Sequence, residues 1–159
     1  MEKIFEKVNE QFNFELESGY IYLAMSNYLK RLGMDGFAHF MDKQAHEEYE
    51  HARKLYNFLV EVDYPVEYKE IPKPEKNYED IADVFKKAYA HEQEVTRRIR
   101  DIYKDAHGEL NFEVMGLLDW FIKEQIEEED NFRGIVEKFE RINGNWGGLY
   151  IFDHELGQR

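Results

Sequence analysis

The 159-residue sequence contains no cysteine, which excludes disulfides, thiolate metal ligands and cysteine nucleophiles. It has only three prolines, and this scarcity favours long uninterrupted helices. No run of about 20 apolar residues occurs, so we expect no transmembrane helix. The first eleven residues are charged and lack the apolar stretch of a secretory signal. Together with the missing cysteine, this predicts a cytoplasmic protein.

Positive charge is also scarce. The 21 lysines and arginines face 34 aspartates and glutamates, and the formal net charge is −13 at pH 7. Such a chain is poorly suited to neutralising phosphates, so we expect no nucleic-acid partner. An acidic surface can attract cations, but it also simply keeps a protein in solution. Charge alone therefore does not select a function.

Apolar residues make up 43% of the chain and aromatic residues 16%, enough for the core of a single domain over residues 1–159. They recur at alternating steps of three and four, which predicts amphipathic helices. After the last of these helices, an apolar segment predicts a short fifth helix that docks on a neighbouring element or on another subunit. The expected helices cover about residues 3–31, 37–62, 78–106, 111–142 and 148–156.

The connections between the helices predict their directions. The first and third links are short, so the first and second helices, and the third and fourth, should be antiparallel pairs. The middle link, residues 63–77, contains all three prolines and should be extended. It can reach roughly 50 Å, whereas a 27-residue helix is about 40 Å long. We therefore predict an all-α fold, a four-helix bundle of two antiparallel hairpins joined by one long crossover, with a short fifth helix.

Each apolar stripe becomes polar near its middle, and the four interruptions fall at about the same height. Buried carboxylates are costly to desolvate and repel one another, and no lysine or arginine occupies the stripes. Two divalent cations would balance four carboxylates. Oxygen ligands with one imidazole suit Fe(II) or Mn(II), although zinc also binds such sets. The polar positions are Glu15 in the first helix, Glu48 and His51 in the second, Glu92 in the third, and Gln125 and Glu128 in the fourth.

Two of the polar residues each have two interpretations. Tyr22 lies two turns from Glu15 and is either a hydrogen-bond or electron donor to the site or an ordinary core tyrosine. Gln125 either binds a metal or donates a hydrogen bond to a ligand. The remaining histidines fall off the stripes, and we expect them at the surface. They are His39, His46, His91, His107 and His154.

A second acidic group flanks the first. Glu47 and Glu124 lie beside the stripes, and Glu127 lies further round the fourth helix. With Glu128 they could form a third cation site just outside the first two. Four consecutive acidic residues, 127–130, are also typical of a solvated helix face. Both interpretations remain open at this point.

These motifs resemble those of a known family. Residues 47–51 (EEYEH) resemble the E-E-x-x-H element of the second ferritin helix, and residues 124–129 (EQIEEE) resemble the E-Q-x-E-E-E element of prokaryotic non-haem ferritins. Residues 13–16 and 91–93 are similar to the ligand-bearing segments of the other two helices. Residues 151–157 resemble the short last helix of the family. The resemblance covers essentially the whole chain.

Two departures from related families argue against haem. The fourth helix offers Gln125-x-x-Glu128 in place of the Glu-x-x-His pair of bacterioferritins and rubrerythrin-type oxidases. Tyr49 stands where bacterioferritins have their haem-ligating methionine. The resemblance is therefore to ferritin, and we expect no haem.

The resemblance implies iron storage and detoxification. A ferroxidase centre would oxidise Fe(II) with dioxygen or hydrogen peroxide, and a homo-oligomeric cage of 24 subunits would store the ferric mineral. The centre would hold two iron ions in each subunit, and a third site is expected nearby. The implied ligands are Glu15, Glu48 and His51 for the first iron, Glu48, Glu92 and Glu128 for the second with Gln125 close by, and Glu47, Glu124, Glu127 and Glu128 for the third site.

Two other functions compete with storage. The first is a ferritin-like di-iron oxidase or peroxidase of low oligomeric state, which builds no cage. The second, more distant, is a metal-free helical scaffold. The fifth helix and the acidic surplus favour the cage, and the size of the assembly distinguishes it from the first alternative.

Overall fold

The computed structural model describes residues 2–159, which form five helices and no strand. Helix α3 begins three residues later than expected, because the Asp80 carboxylate caps it by accepting a hydrogen bond from the Asp83 N–H at 2.8 Å. No helix in this part of the chain is long and apolar enough to cross a membrane. The helices are α1 (Glu2–Arg31), α2 (Asp35–Glu61), α3 (Ile81–Gly108), α4 (Phe112–Ile142) and α5 (Trp146–Leu156).

The predicted crossover between α2 and α3 runs along α1. Near its start, Tyr64 packs against Phe5 with ring centroids 6.2 Å apart. Near its end, Tyr78 packs against Tyr28 at 4.9 Å. Phe5 and Tyr28 are separated by roughly 35 Å of helix. The crossover therefore spans the bundle, and the prediction of two hairpins joined by one long connection is confirmed.

Two asparagines of α1 hold the crossover in place. The Asn9 side chain donates to the Glu67 carbonyl at 3.1 Å and accepts from the Glu67 N–H at 3.0 Å. Asn13 donates to the same carbonyl at 2.9 Å and accepts from the Lys69 N–H at 2.9 Å. These side chains supply the partners that a second strand would otherwise give to extended backbone.

The apolar core is divided into two clusters along the bundle axis. One cluster joins the end of α1 to the start of α3 and includes Leu29, Phe37 and Phe85. The other joins the start of α1 to the end of α3 and includes Val8 and Ile99. The polar positions of the four stripes lie between the clusters. The two apolar halves therefore fix the helices on both sides of this polar layer.

Helix α5 docks on the first turn of α2. The Asp153 carboxylate accepts a hydrogen bond from the Phe37 N–H at 2.8 Å. The Phe152 ring packs against Phe37 and Phe139, with centroids 5.6 Å and 5.1 Å apart. Gly36 permits this approach, because a Cβ at that position would overlap the Asp153 carbonyl.

We predict that Gly36→Ala destabilises the protein by about 1–3 kcal/mol, because the added methyl group forces α2 and α5 apart. The measurement is the midpoint of thermal unfolding. Gly116→Ala is the matched control: Gly116 is exposed on α4 with nothing within 4 Å of an added Cβ, and alanine there should stabilise by about 0.5–1 kcal/mol. Equal effects of the two substitutions would show that Gly36 is not a packing contact.

Candidate metal centre

Four glutamates from four different helices lie in the layer between the apolar clusters. Each is almost completely buried, with 0% exposure for Glu15, 1% for Glu48 and Glu92, and 4% for Glu128. Carboxylates avoid such burial unless they are protonated, hydrogen-bonded or bound to metals. The structure therefore brings together the positions at which the four stripes become polar.

Three of the buried residues form a compact group. Glu15, Glu48 and His51 each offer a ligand atom, and these atoms lie within 4.8 Å of one another. His51 Nδ1 is 3.2 Å from Glu48 Oε2 and 3.9 Å from Glu15 Oε2. Within residues 2–159, these three atoms have no partner in hydrogen-bond geometry. Buried ligand atoms that converge on one point without hydrogen bonds fit a cation between them.

Glu92 is held by two neighbours. The Tyr22 hydroxyl donates to one carboxylate oxygen at 2.6 Å, and Gln125 Nε2 donates to the other at 3.1 Å. Tyr22 is fully buried, and its ring stacks on Phe132. Of the two interpretations of Tyr22, the geometry matches the hydrogen-bond donor. Gln125 likewise hydrogen-bonds a candidate ligand through its amide nitrogen.

The Gln125 amide belongs to a chain of contacts that leads out of the layer. Its nitrogen also lies 3.1 Å from Thr96 Oγ1, and that hydroxyl donates to Glu129 Oε2 at 2.6 Å. Neither Thr96 nor Glu129 was assigned a role from the sequence, although Glu129 ends the EQIEEE motif of residues 124–129. Both lie off the apolar stripes, so stripe periodicity carries no signal for them.

Gln44 is a further site neighbour that the sequence interpretation did not weigh. Its amide nitrogen lies 2.9 Å from Glu48 Oε1 and 3.0 Å from Glu128 Oε2, and it links these two carboxylates. Gln11 donates in the same way to Glu15 Oε1 at 3.0 Å. The signal for Gln44 was present, because this buried amide interrupts the stripe of α2 one turn before Glu48.

The second acidic cluster consists of Glu47, Glu124 and Glu128, whose carboxylate oxygens lie within 4.8 Å of one another. It lines a cavity of about 390 Å³ beside the buried layer. Glu127 also lines this cavity, but it is exposed and is not one of the three converging groups. Glu128 belongs to both the cluster and the layer, and Glu124 Oε1 of the cluster lies 4.0 Å from His51 Nε2.

The electrostatics of the layer favour protons or cations on most of its carboxylates. Burial, together with the nearby Glu48 charge, raises the pKa of Glu15 and Glu92 well above the usual range. Burial raises the pKa of Glu128 to about 8, and the charges of Glu48 and Glu47 add to this effect. A divalent cation can displace such protons, because its two positive charges neutralise the carboxylates in their place.

Glu48 and His51 behave differently from the other groups. Burial acts to raise the pKa of Glu48, but contacts with His51 and Glu15 outweigh it and bring that pKa to about 2. Burial acts to lower the pKa of His51, whereas the Glu48 carboxylate raises it, and the net direction is upward. Without a cation, the two side chains therefore form an ion pair.

The prediction that His91 is a surface residue was wrong. His91 is half-buried, stacks on Phe14 with centroids 5.1 Å apart, and lies 2.7 Å from Ser18 Oγ. Burial lowers the pKa of its imidazole. The prediction failed because α1 and α3 pack closely enough to cover a position outside the main stripe. The other four histidines are exposed, as expected: His39, His46, His107 and His154.

Comparison with known proteins agrees with this geometry. A family model described as the ferritin-like domain matches residues 5–142. The chain belongs to the ferritin family. It is 37% identical over 154 residues to a bacterial non-heme ferritin of Campylobacter jejuni, a match that covers 97% of this chain and 92% of the relative. It is 33% identical over 156 residues to one from Staphylococcus aureus, with 98% and 94% covered.

Solved ferritin structures share the whole fold. An open pore ferritin from the hyperthermophilic archaeon Archaeoglobus fulgidus superposes with a TM-score of 0.98 at 34% identity, covering 100% of this chain and 98% of that one. A structure described as a humanized archaeal ferritin gives a TM-score of 0.98 at 36% identity, with the same coverage. The bundle and its short last helix are thus those of a ferritin, and membership of the family supports iron storage.

We predict that the metal-free protein loses stability as the pH rises from about 5 to 8. The pKa of Glu128 lies above its unfolded value, so its contribution is complete below about pH 4.5 and disappears as the pH passes through about 8. The raised pKa values of Glu15 and Glu92 act in the same direction. We expect a decrease of a few kcal/mol, measured as thermal midpoints in the presence of a chelator.

Two variants test the origin of this pH dependence. Glu128→Gln should reduce the slope, because the substituted side chain does not ionise. Glu127→Gln, at the exposed neighbouring position, should leave the slope as it is in the unchanged chain. A slope that is identical in all three proteins would contradict the assignment to the buried layer.

Proposed function

We propose that this chain is a ferroxidase subunit that oxidises Fe(II) with dioxygen, or with hydrogen peroxide, and stores the ferric product in a 24-subunit cage. The observation that carries the proposal is the convergence of the unpartnered atoms of Glu15, Glu48 and His51 in the middle of the bundle. Iron is the substrate in this scheme. Its oxidation supplies the electrons, and the chain supplies position and charge.

In this proposal Glu48 would contact both iron ions. Its Oε2 faces Glu15 and His51, whereas its Oε1 faces Gln44 on the side of Glu128. The first Fe(II) would bind Glu15, Glu48 and His51. The second would bind Glu48, Glu128 and, beyond them, Glu92, whose pKa is raised by burial and by the charges of the other two.

Protons leave the layer when iron enters. Because burial and the Glu48 charge raise the pKa values of Glu15, Glu92 and Glu128, two divalent cations would displace protons from these carboxyls. Among the carboxylates of the layer, Tyr22 and Gln125 donate to Glu92, so they would keep this carboxylate oriented during the exchange. Gln125 would then lie beside the second iron, held through its amide nitrogen to Glu92.

The second acidic cluster supplies a third position next to the first two. Glu128 belongs both to the buried layer and to this cluster. Glu47 and Glu124 complete it, and the exposed Glu127 lies at the same cavity. An iron ion in the cluster would share Glu128 with the second iron, which gives oxidised iron a short route out of the layer.

We predict that Glu48→Gln abolishes rapid Fe(II) oxidation while the bundle remains folded. The substitution keeps the shape of the side chain but removes the charge shared by both iron positions. Initial rates of oxygen consumption should fall at least about tenfold, since even outer partners of metal ligands typically contribute that much. Glu50→Gln, an exposed change two residues away on α2, should keep the full rate. Rapid oxidation in Glu48→Gln would place the chemistry elsewhere.

Two exposed apolar surfaces support homo-oligomerisation. Tyr20, Leu23 and Tyr49 form one on α1 and α2, and it lines a cavity that also contains Ile71 of the crossover. Helix α5 presents the other. Monomeric proteins seldom expose contiguous apolar patches of this kind. The exposed residues of α5 are Trp146, Tyr150 and Ile151.

The mass of the assembly distinguishes storage from its alternative. A cage of 24 chains of 19.3 kDa has a mass of about 460 kDa. We expect size-exclusion chromatography with light scattering to give this value. A species of two to four subunits would instead support a ferritin-like di-iron oxidase or peroxidase that stores no mineral.

A further inference from the structure

A basic side chain lies beside the second acidic cluster. Arg159 follows α5 by three residues, and its Nη2 is 2.9 Å from Glu47 Oε2. Its Nη1 donates to the Phe40 carbonyl at 3.0 Å, and the guanidinium carbon lies 4.4 Å from the centre of the Phe40 ring. Only 24% of the side chain is exposed. Three contacts therefore fix the guanidinium at this place.

Arg159 brings positive charge to the cavity in which the third cation would bind. The cavity of about 390 Å³ is lined by Glu47, Glu124 and Glu128, and Arg159 is the one lysine or arginine among the described residues that line it. A cation in the cluster needs the Glu47 carboxylate as a ligand. The same carboxylate is engaged by the guanidinium, so the two compete.

We propose that Arg159 is a tethered competitor that limits cation binding at the second acidic cluster. This inference rests on the third position of the proposed function. The cluster binds a divalent cation weakly while the guanidinium holds Glu47, and more tightly when Arg159 moves away. A weak third position passes iron onward, whereas a strong one would retain it.

The chemistry of arginine suits this role. A guanidinium keeps its charge throughout the physiological pH range, so the competition does not depend on its protonation. When the guanidinium releases Glu47, its contacts with the Phe40 ring and carbonyl keep it close to the cluster. Arg159 can also leave without unfolding a helix, because it lies beyond the end of α5 at Leu156.

The test measures occupancy by Zn²⁺, a redox-inert divalent cation, in crystals equilibrated at graded zinc concentrations. Anomalous scattering at the zinc edge reports the second acidic cluster and the buried group of Glu15, Glu48 and His51 separately. In Arg159→Gln we expect half-occupancy of the cluster at about two- to fivefold lower zinc, the effect of one partly exposed ion pair. The buried group should fill at an unchanged concentration.

Two controls separate competition from general charge effects. Arg159→Lys keeps the charge, so the zinc concentration that half-fills its cluster should stay closer to that of the unchanged chain. Arg133→Gln removes an arginine of α4 that pairs with Asp130 at 2.6 Å, away from Glu47. It should leave the zinc dependence of the cluster unchanged. If Arg133→Gln increased the zinc affinity of the cluster as much as Arg159→Gln does, the proposal would be overturned.

The remaining outcomes are also decisive. Equal zinc dependence of the cluster in Arg159→Gln and the unchanged chain overturns the inference, and so does a cluster that binds no zinc in either. Failure of the buried group to bind zinc counts against the proposed ferroxidase centre instead. Because the two positions are read separately, the failure of one proposal is distinguishable from the failure of the other.

Discussion

The structure depends on the burial of negative charge at the centre of a helical bundle. The side chains that hydrogen-bond the buried carboxylates are mostly uncharged: Gln11, Gln44 and Gln125 donate through amides, and Tyr22 through a hydroxyl. Such donors orient the carboxylates without cancelling their charge. A lysine or arginine in their place would stabilise the layer and would also remove its attraction for cations. The neutral donors thus preserve both the geometry of the layer and its attraction for cations.

The charge is balanced differently at the edge of the layer than at its centre. In the centre, Glu48 pairs with His51, whose imidazole is itself a metal ligand once it is neutral. At the edge, Glu47 pairs with Arg159, which cannot bind a metal. An entering cation can therefore convert the central partner into a ligand, but it must displace the outer one. We therefore expect the buried group to bind a cation before the second acidic cluster does.

Much of the fold and of the layer could be predicted from the sequence, because both depend on helical periodicity. Periodicity gives the height and the face of Glu15 or Glu92 along its own helix, and four such heights suffice to predict a common layer. It does not give contacts between distant segments. Arg159 reaches Glu47 only because α5 docks on α2, and His91 is covered only because Ser18 and Phe14 lie opposite it. Amide orientation, as in Gln44, depends on side-chain packing that no spacing rule contains.

The division of the core into two apolar clusters separates the requirements of folding from those of chemistry. Phe37 and Phe85 at one end, and Val8 and Ile99 at the other, hold the bundle on both sides of the polar layer. Ligands in the middle can change during evolution with little penalty to the scaffold. One helical architecture can accordingly host different metals or oxidants, or become a plain structural protein, through a few substitutions in the polar layer.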